Sequence, residues 1–240
     1  MKIKNRIFLN QKNLTSNQSI EFDIKQSHYL TTVLRSKVGD CISIFNETSE
    51  YSVKLTNVER RMTIGTIINE LRVINKIKPY HLYFSPIKRI PTEIIIQKCT
   101  EIGITHFHPV IMERTQFKTF NIERLKLIAI EAVEQSNQIS IPHISIPIHF
   151  EDLIKKNDES ILACCLDDKA QKINEIYTKA NLDIKGVLIG PEGDFSKKEM
   201  NMINDNKFIT SVSLGNNVLK SETACIVAAS LIKEYSNHAE

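Results

Sequence analysis

The hydrophobic rhythm of this chain changes once, near Pro79, and the change limits what it can fold into. Before that point apolar residues alternate with polar ones in CISIF (Cys41–Phe45), YSVKL (Tyr51–Leu55) and MTIGTI (Met62–Ile67). A period of two is the mark of half-buried strands. Gly39-Asp40 supplies a turn before the first of these, and HYLTTVLR (His28–Arg35) reads as a short helix among them. The segment RVINKIKP then brings Arg72, Lys76 and Lys78 up to Pro79, where a regular element is interrupted. The sequence therefore predicts a small, mostly-β barrel or sandwich over residues 1–75 and a second domain over residues 76–240.

Beyond the break, short apolar runs alternate with helical patterns. The runs are Leu82–Phe84, Phe107–Ile111, Ile161–Leu166, Val187–Ile189 and Val212–Leu214. Pro91 opens one helix, which Gly103 closes. Asn121 caps another, with Ile122, Leu125, Ile128, Ala129, Ala132 and Val133 along one face. A long helix from Ser221 to Tyr235, capped by Ser221, ends the pattern. Strands alternating with helices predict an α/β fold around a mainly parallel sheet.

No apolar run is long enough to span a bilayer, so the chain reads as soluble and cytoplasmic. Its five cysteines form no C-x-x-C pair, and Cys164-Cys165 lies inside an apolar run, which predicts core thiols and no metal site. Charge is uneven. Residues 1–80 carry thirteen Lys and Arg against seven Asp and Glu; the remainder carries eighteen against twenty-one. A basic first third suits a polyanionic partner, and it equally suits a solvated lysine-rich surface. Arg6, Arg35, Arg60, Arg61 and Arg72 are the candidates for phosphate contact.

Four of only seven glycines, Gly186, Gly190, Gly193 and Gly215, fall within thirty positions, where uniform usage would place about one. In VLIGPEGDFSKKE a strand end runs into Gly190-Pro-Glu-Gly193 and then into Ser196-x-x-Glu199, a helix-start signature. SVSLG, ending at Gly215, repeats this logic before the last helix. Two strand-end loops in one α/β domain predict a small-molecule site at the carboxyl edge of the sheet. Neither loop is a P-loop or a G-x-G-x-x-G turn. The pattern alone goes no further, and tight turns without a ligand remain an alternative.

LIGPEGDFS followed by SLGNNVLKSETA resembles the paired C-terminal motifs of SPOUT methyltransferases. More closely, the chain resembles the RsmE family, which methylates N3 of a uridine in small-subunit (16S) ribosomal RNA. The likeness extends to RIFL (Arg6–Leu9), HYLTTVLRSKVGD (His28–Asp40), TEIIIQKCTEIGITHFHPVIMERTQ (Thr92–Gln116) and KLIAIEAVEQSNQ (Lys126–Gln138). It implies a PUA-like β-barrel for RNA over residues 1–75, and over 76–240 an α/β SPOUT domain with a deep trefoil knot. It also implies a homodimer, S-adenosyl-L-methionine as cofactor, and ribosomal RNA or the assembled subunit as partner. Carried over by motif, the cofactor seat is Gly190, Pro191, Glu192, Gly193, Leu214, Gly215 and Leu219, with Leu166 on the adenine side. The family's usual Gly-Pro-Arg-Ile-Leu-Arg-Thr-Glu-Thr-Ala is replaced here by GNNVLKSETA, so Asn217 and Lys220 stand at two arginine positions. Gln138 stands where a basic residue is common.

Methyl transfer asks the protein to orient the nucleophile and stabilise charge, since the cofactor carries the electrophile. Arg114 in MERTQ and Glu222 at the start of the last helix are the candidate catalytic residues. A buried hydrogen-bond network is the rival reading for Arg114 and for Glu134-Gln135, and a helix-dipole contact the rival for Glu222. His106 and His108 alternate on a strand, where one of them can simply face solvent. Two other functions stay open: a non-catalytic RNA-binding or ribosome-assembly protein of this fold, and a methyltransferase acting on another RNA.

Overall fold

A computed structural model describes residues 5–74, 77–166, 170–173, 175–176 and 183–237. It divides into two compact units: Met1–Ile77 with Val133–Ile141, and Lys78–Ala132 with Pro142–Glu240. The division differs from a single cut at 75/76. The cut itself and Lys76 lie outside the described residues, while Val133–Ile141 returns to the first unit. That return follows from packing: Val133 and Ile139 are buried in a cluster with Phe45.

Five strands make the sheet of the first unit: β1 (Arg6–Phe8), β2 (Ser19–Glu21), β3 (Cys41–Phe45), β4 (Ser49–Asn57) and β5 (Ile64–Val73), in the order β1-β3-β4-β5-β2. All neighbours are antiparallel except β1 and β3. Asn46 sets the β3–β4 turn by accepting the Thr48 and Ser49 N–H groups, both at 2.9 Å. The alternating residues Ile42, Ile44, Val53, Leu55 and Ile67 form the core with Leu30. Helix α1 (Ile24–His28) begins earlier than expected, because Asp23 and Gln26 form a capping box. It passes into a π-helical turn (Tyr29–Val33), and Arg35 follows in the left-handed region at φ 52°.

Arg6, one of the candidates for phosphate contact, is not a solvated arginine. Its side chain is 9% exposed, and its Nε donates to Glu50 Oε1 at 2.9 Å. Its terminal nitrogens donate to the carbonyls of Val133 (3.0 Å), Glu134 (3.2 Å) and Gln138 (2.5 Å). These include orphan carbonyls at a helix C-terminus, which a guanidinium satisfies while complementing the dipole. Arg72, half-exposed, is likewise committed: Nε donates to Glu50 Oε2 at 2.6 Å and Nη2 to the Asn137 carbonyl at 2.8 Å. Burial pushes the Glu50 carboxyl up, but hydrogen bonds from Arg6, Ser43 and Arg72 outweigh it and hold the group below its ordinary value. Glu134 accepts the Phe8 N–H at 2.8 Å, the structural role set out as its rival reading.

The second unit is built on parallel strands: β6 (His81–Phe84), β7 (His106–Ile111), β8 (His143–Ile144), β9 (Ile148–His149), β10 (Ile161–Cys164), β11 (Gln171–Lys172), β12 (Gly186–Ile189) and β13 (Ile209–Ser213). Their order is β11-β13-β10-β12-β6-β7-β8, with β9 also beside β7. One face, with Leu82, Phe84, Phe107 and Val187, packs on α2 (Arg89–Ile102), α3 (Ile122–Gln135) and α6 (Ser221–Asn237). The other, with Tyr83, Val110, Ala163 and Leu188, packs on α4 (Phe150–Lys156) and α5 (Lys197–Asn204). Both faces are thus covered, as parallel sheets require. Asn121 caps α3 through the Arg124 N–H at 3.0 Å, and Gly103 ends α2 at φ 112°.

His106 and His108 are half-buried and point to one side of the sheet, so neither simply faces solvent. With His81 and Tyr83 they stack across β6 and β7, ring centroids 4.6 Å apart for His81–His106 and 4.5 Å for Tyr83–His108. His81 Nδ1 and His108 Nε2 lie 2.9 Å apart, so one must donate and the other accept. Burial, then the neighbouring imidazoles, lowers His108 to about 3; burial also lowers His81 and His106.

Two outcomes follow from these networks. Removing Arg6 leaves Glu50 buried without its main partner, so Arg6→Ala should cost about 3–5 kcal/mol, measured by urea denaturation. His108 is depressed from 6.5 towards 3, so the unfolded chain binds its proton first as pH falls. Stability should therefore drop by up to about 2 kcal/mol between pH 7 and 5, above the range in which carboxylates titrate. His108→Phe, which keeps a stacking ring, should flatten that slope in melts at the two pH values.

Candidate active site

The carboxyl ends of three adjacent strands, β10, β12 and β13, open on a cavity of about 520 Å³. Cys164, Cys165 and Leu166 close it from β10; Ile189 to Glu192 and Asp194 from β12; and Ser213 to Gly215 with Asn217 to Ser221 from β13. Lys88 and Pro91 at the start of α2, with Glu222 and Ala224 in the first turn of α6, complete the wall. The volume falls within the range of about 300–1,000 Å³ usual for small-molecule sites.

The loop after β12 is held from three sides. Ser221 Oγ donates to the Gly190 carbonyl at 3.2 Å. The Leu166 N–H donates to Asp194 Oδ2 at 3.1 Å. Arg114 Nη1 donates to the Gly193 carbonyl, with the Asp194 and Phe195 carbonyls at 3.5 Å. Within the loop, the Asp194 N–H closes a turn on the Pro191 carbonyl at 2.9 Å, with Asp194 itself at φ 58°. Downstream, Ser196 and Glu199 form the expected capping box at the start of α5. Buried Glu199 does more: its Oε1 accepts the Glu113 N–H at 2.8 Å, fixing the segment that carries Arg114. Hydroxyls extend the bracing, with Ser85 Oγ and Thr115 Oγ1 2.8 Å apart and Thr115 accepting the Met112 N–H.

A model of the RNA methyltransferase domain matches residues 75–233. A ribosomal RNA small subunit methyltransferase E of Rickettsia conorii is 33% identical, over 98% of each chain. The protein of that name from Aquifex aeolicus is 30% identical, over 85% of this chain and 89% of that one. This chain belongs to the ribosomal RNA small subunit methyltransferase E family. The fold agrees. The Neisseria gonorrhoeae member, crystallised with S-adenosyl methionine, superimposes with a TM-score of 0.85 at 24% identity, over 96% of this chain and 97% of that one. A putative methyltransferase of Legionella pneumophila with bound SAM gives 0.84 at 24% identity, over 98% of each chain.

For this member of the methyltransferase E family, the structure brings Leu166, Gly190, Pro191, Glu192, Leu214, Gly215, Leu219 and Glu222 to one cavity. Gly193 and Arg114 stand outside its lining. They meet each other instead: a Cβ on Gly193 would lie 3.4 Å from Arg114 Cδ, an ordinary contact. At Gly190 a Cβ would lie 3.3 Å from the Phe195 ring, tighter than side chains normally approach. Ser221 is not the helix cap, because the Lys220 carbonyl accepts the first helical bond, from Ala224. Its hydroxyl is turned to Gly190. Arg35, Arg60 and Arg61 are exposed on the first unit, with no hydrogen bond or ion pair among the described residues. Sequence reasoning missed Lys88, Asp194 and Ser221 as parts of the site. Asp194, two residues past the Pro-Glu pair, carried a signal in its place next to the loop's second glycine.

Gly190→Ala should cost about 1–3 kcal/mol through overpacking against Phe195, whereas Gly193→Ala should stay within about 0.5 kcal/mol of the parent. Paired denaturation curves check the ordering, and equal losses would refute the loop packing described.

Proposed function

We propose that the chain transfers a methyl group from S-adenosylmethionine to N3 of a uridine in small-subunit ribosomal RNA. The observation that carries this reading is the cavity at the ends of β10, β12 and β13, in a chain of the methyltransferase E family. Its walls fit the cofactor chemically. Leu166, Ile189, Leu214 and Leu219 offer apolar surface, and Glu192, Asp194 and Glu222 suit a cation. When bound, the cofactor supplies an electrophilic methyl on a sulfonium.

The remaining work is the chain's own. Uridine N3 holds its proton at neutral pH, so the site must accept that proton and stabilise the anion. Glu222 lies in the cavity wall, in the first turn of α6, a carboxylate placed to take a proton. Arg114, anchored through one terminal nitrogen to Gly193, keeps its other donors for the base or its phosphate.

In this reading the first unit is a PUA-like barrel that grips RNA through Arg35, Arg60 and Arg61. Arg6 and Arg72 serve its internal structure. A trefoil knot in the second unit is consistent with the strand order, in which β12 enters between β10 and β6. The active form is a homodimer. On α6, Ala228 is buried within the chain while Ile226, Val227 and Leu231 are half-buried and leave apolar surface for a partner. Exposed Val218 and Leu166, 78% and 56% accessible at the cavity, are further candidates for a covered surface. Among the described residues no helix is long and apolar enough to cross a membrane. The free thiols of all five cysteines suit a reducing cytoplasm.

Small subunits from a strain lacking the gene should gain N3-methyluridine on incubation with the protein and cofactor, read by nucleoside mass spectrometry. Replacing Arg35, Arg60 and Arg61 by alanine should weaken RNA binding and lower its salt dependence by up to about three phosphate contacts. Cofactor affinity by calorimetry should be unchanged. A product without N3-methyluridine would overturn the assignment.

A further inference from the structure

A second cavity, of about 360 Å³, opens on the sheet face that carries α4 and shares no lining residue with the first. Tyr83 and His108 form its floor, and Asp152, Asp158 and Glu159 stand in its wall with Lys156 and His149. Tyr83 is 7% exposed, yet its hydroxyl has no hydrogen-bond partner among the described residues. The ring is packed into the sheet face while the hydroxyl is not sealed in with it, so the phenol oxygen is left to the cavity. Here it opens on a space large enough for a ligand.

The charges name the ligand's class. Three carboxylates line it with one lysine, and burial keeps the His108 imidazole neutral. Asp158 and Glu159 are close enough to act on the phenol, which burial and then these two carboxylates push up to about 12, so it stays protonated. Glu159 reaches His81 Nε2 only at 3.8 Å, and no ion pair engages Asp152 or Asp158 among the described residues. A bare metal ion does not suit the site: among the described residues no three His, Cys, Asp or Glu side chains converge to hold one. Carboxylates beside apolar lining in a cavity of this size match an organic cation, with N–H donors on an aliphatic stem.

We infer that the Tyr83–Glu159 cavity binds a primary ammonium group on a flexible aliphatic chain, as in a polyamine or a lysine side chain. The phenol oxygen accepts one N–H, the carboxylates neutralise the charge, and the stem lies against Ile148 and Leu153. The site is independent of the proposed methyl transfer, and so is its test.

The experiment titrates the full chain with spermidine, and separately with a short lysine-containing peptide, by calorimetry near physiological salt. Single-site, saturable binding is expected for at least one of them. Binding by spermidine alone assigns the cavity to a free amine; binding by the peptide alone assigns it to a partner protein's lysine. Tyr83→Phe, which removes one oxygen and leaves the ring stacked on His108, should weaken binding about tenfold, as should Glu159→Gln. Melting curves and S-adenosylmethionine titrations of both variants should match the parent. No saturable binding of either probe, or equal binding by the variants, would overturn the inference.

Discussion

Everything in the second unit follows from a parallel sheet that is buried on both faces. Its backbone groups are spent on the ladder, and its side chains are packed into helices above and below. Polar chemistry is left the strand ends, where N–H groups and helix starts are not yet committed. The strand order then decides which ends meet. Because β12 lies between β10 and β6, with β13 on the far side of β10, the loops after β10, β12 and β13 converge. They are separated by tens of residues in sequence and share one cavity in space.

Charge is divided between structure and surface by the same accounting of backbone groups. The end of α3 exposes carbonyls that nothing in its own helix can satisfy. Arg6 meets them and meets Glu50 in the same guanidinium plane, which suits a planar fork of five donors better than a lysine. Glu50 is then shared with Arg72, and the two arginines drop out of the pool available to a polyanion. Of the five arginines, Arg35, Arg60 and Arg61 remain exposed, together with Lys12, Lys25, Lys37 and Lys54. The net charge of residues 1–80 thus overstates the surface charge that a partner would meet.

Local signals in the sequence were reliable, the cap read at Ser221 excepted. Ser196 with Glu199, Asn121 and Gly103 all mark helix ends where short-range hydrogen bonding alone dictates them. The strands of the first unit and the alternation of the second were legible from periodicity, and so were the two glycine-bearing loops. What could not be read was long-range. Arg6 and Val133 are 127 positions apart, and no pattern around Arg6 distinguishes a buried arginine from a solvated one. The excursion of Val133–Ile141 into the first unit continues a helical face that also fits the second. Glu199 announces a capping box, but its bond to Glu113 depends on where β7 ends. The histidines on β6 and β7 alternate like half-exposed strand residues, and only the pairing of those two strands makes them a stack.

The loop at the cavity shows what these long-range contacts accomplish. Asp194 holds a left-handed backbone, which costs a non-glycine residue roughly 1 kcal/mol or more. A glycine there would relieve the strain, yet it would lose the carboxylate that accepts the Leu166 N–H. That bond joins the end of β10 to the loop after β12, and Ser221 joins the same loop to α6. Each contact is modest alone, on the order of 1 kcal/mol. Together they fix the backbone groups that line the cavity before any ligand arrives, so ordering the loop is not charged against binding. Strain at one residue is in this way exchanged for a preformed wall, and the exchange works only because β10, β12 and the start of α6 are themselves held rigid by the sheet.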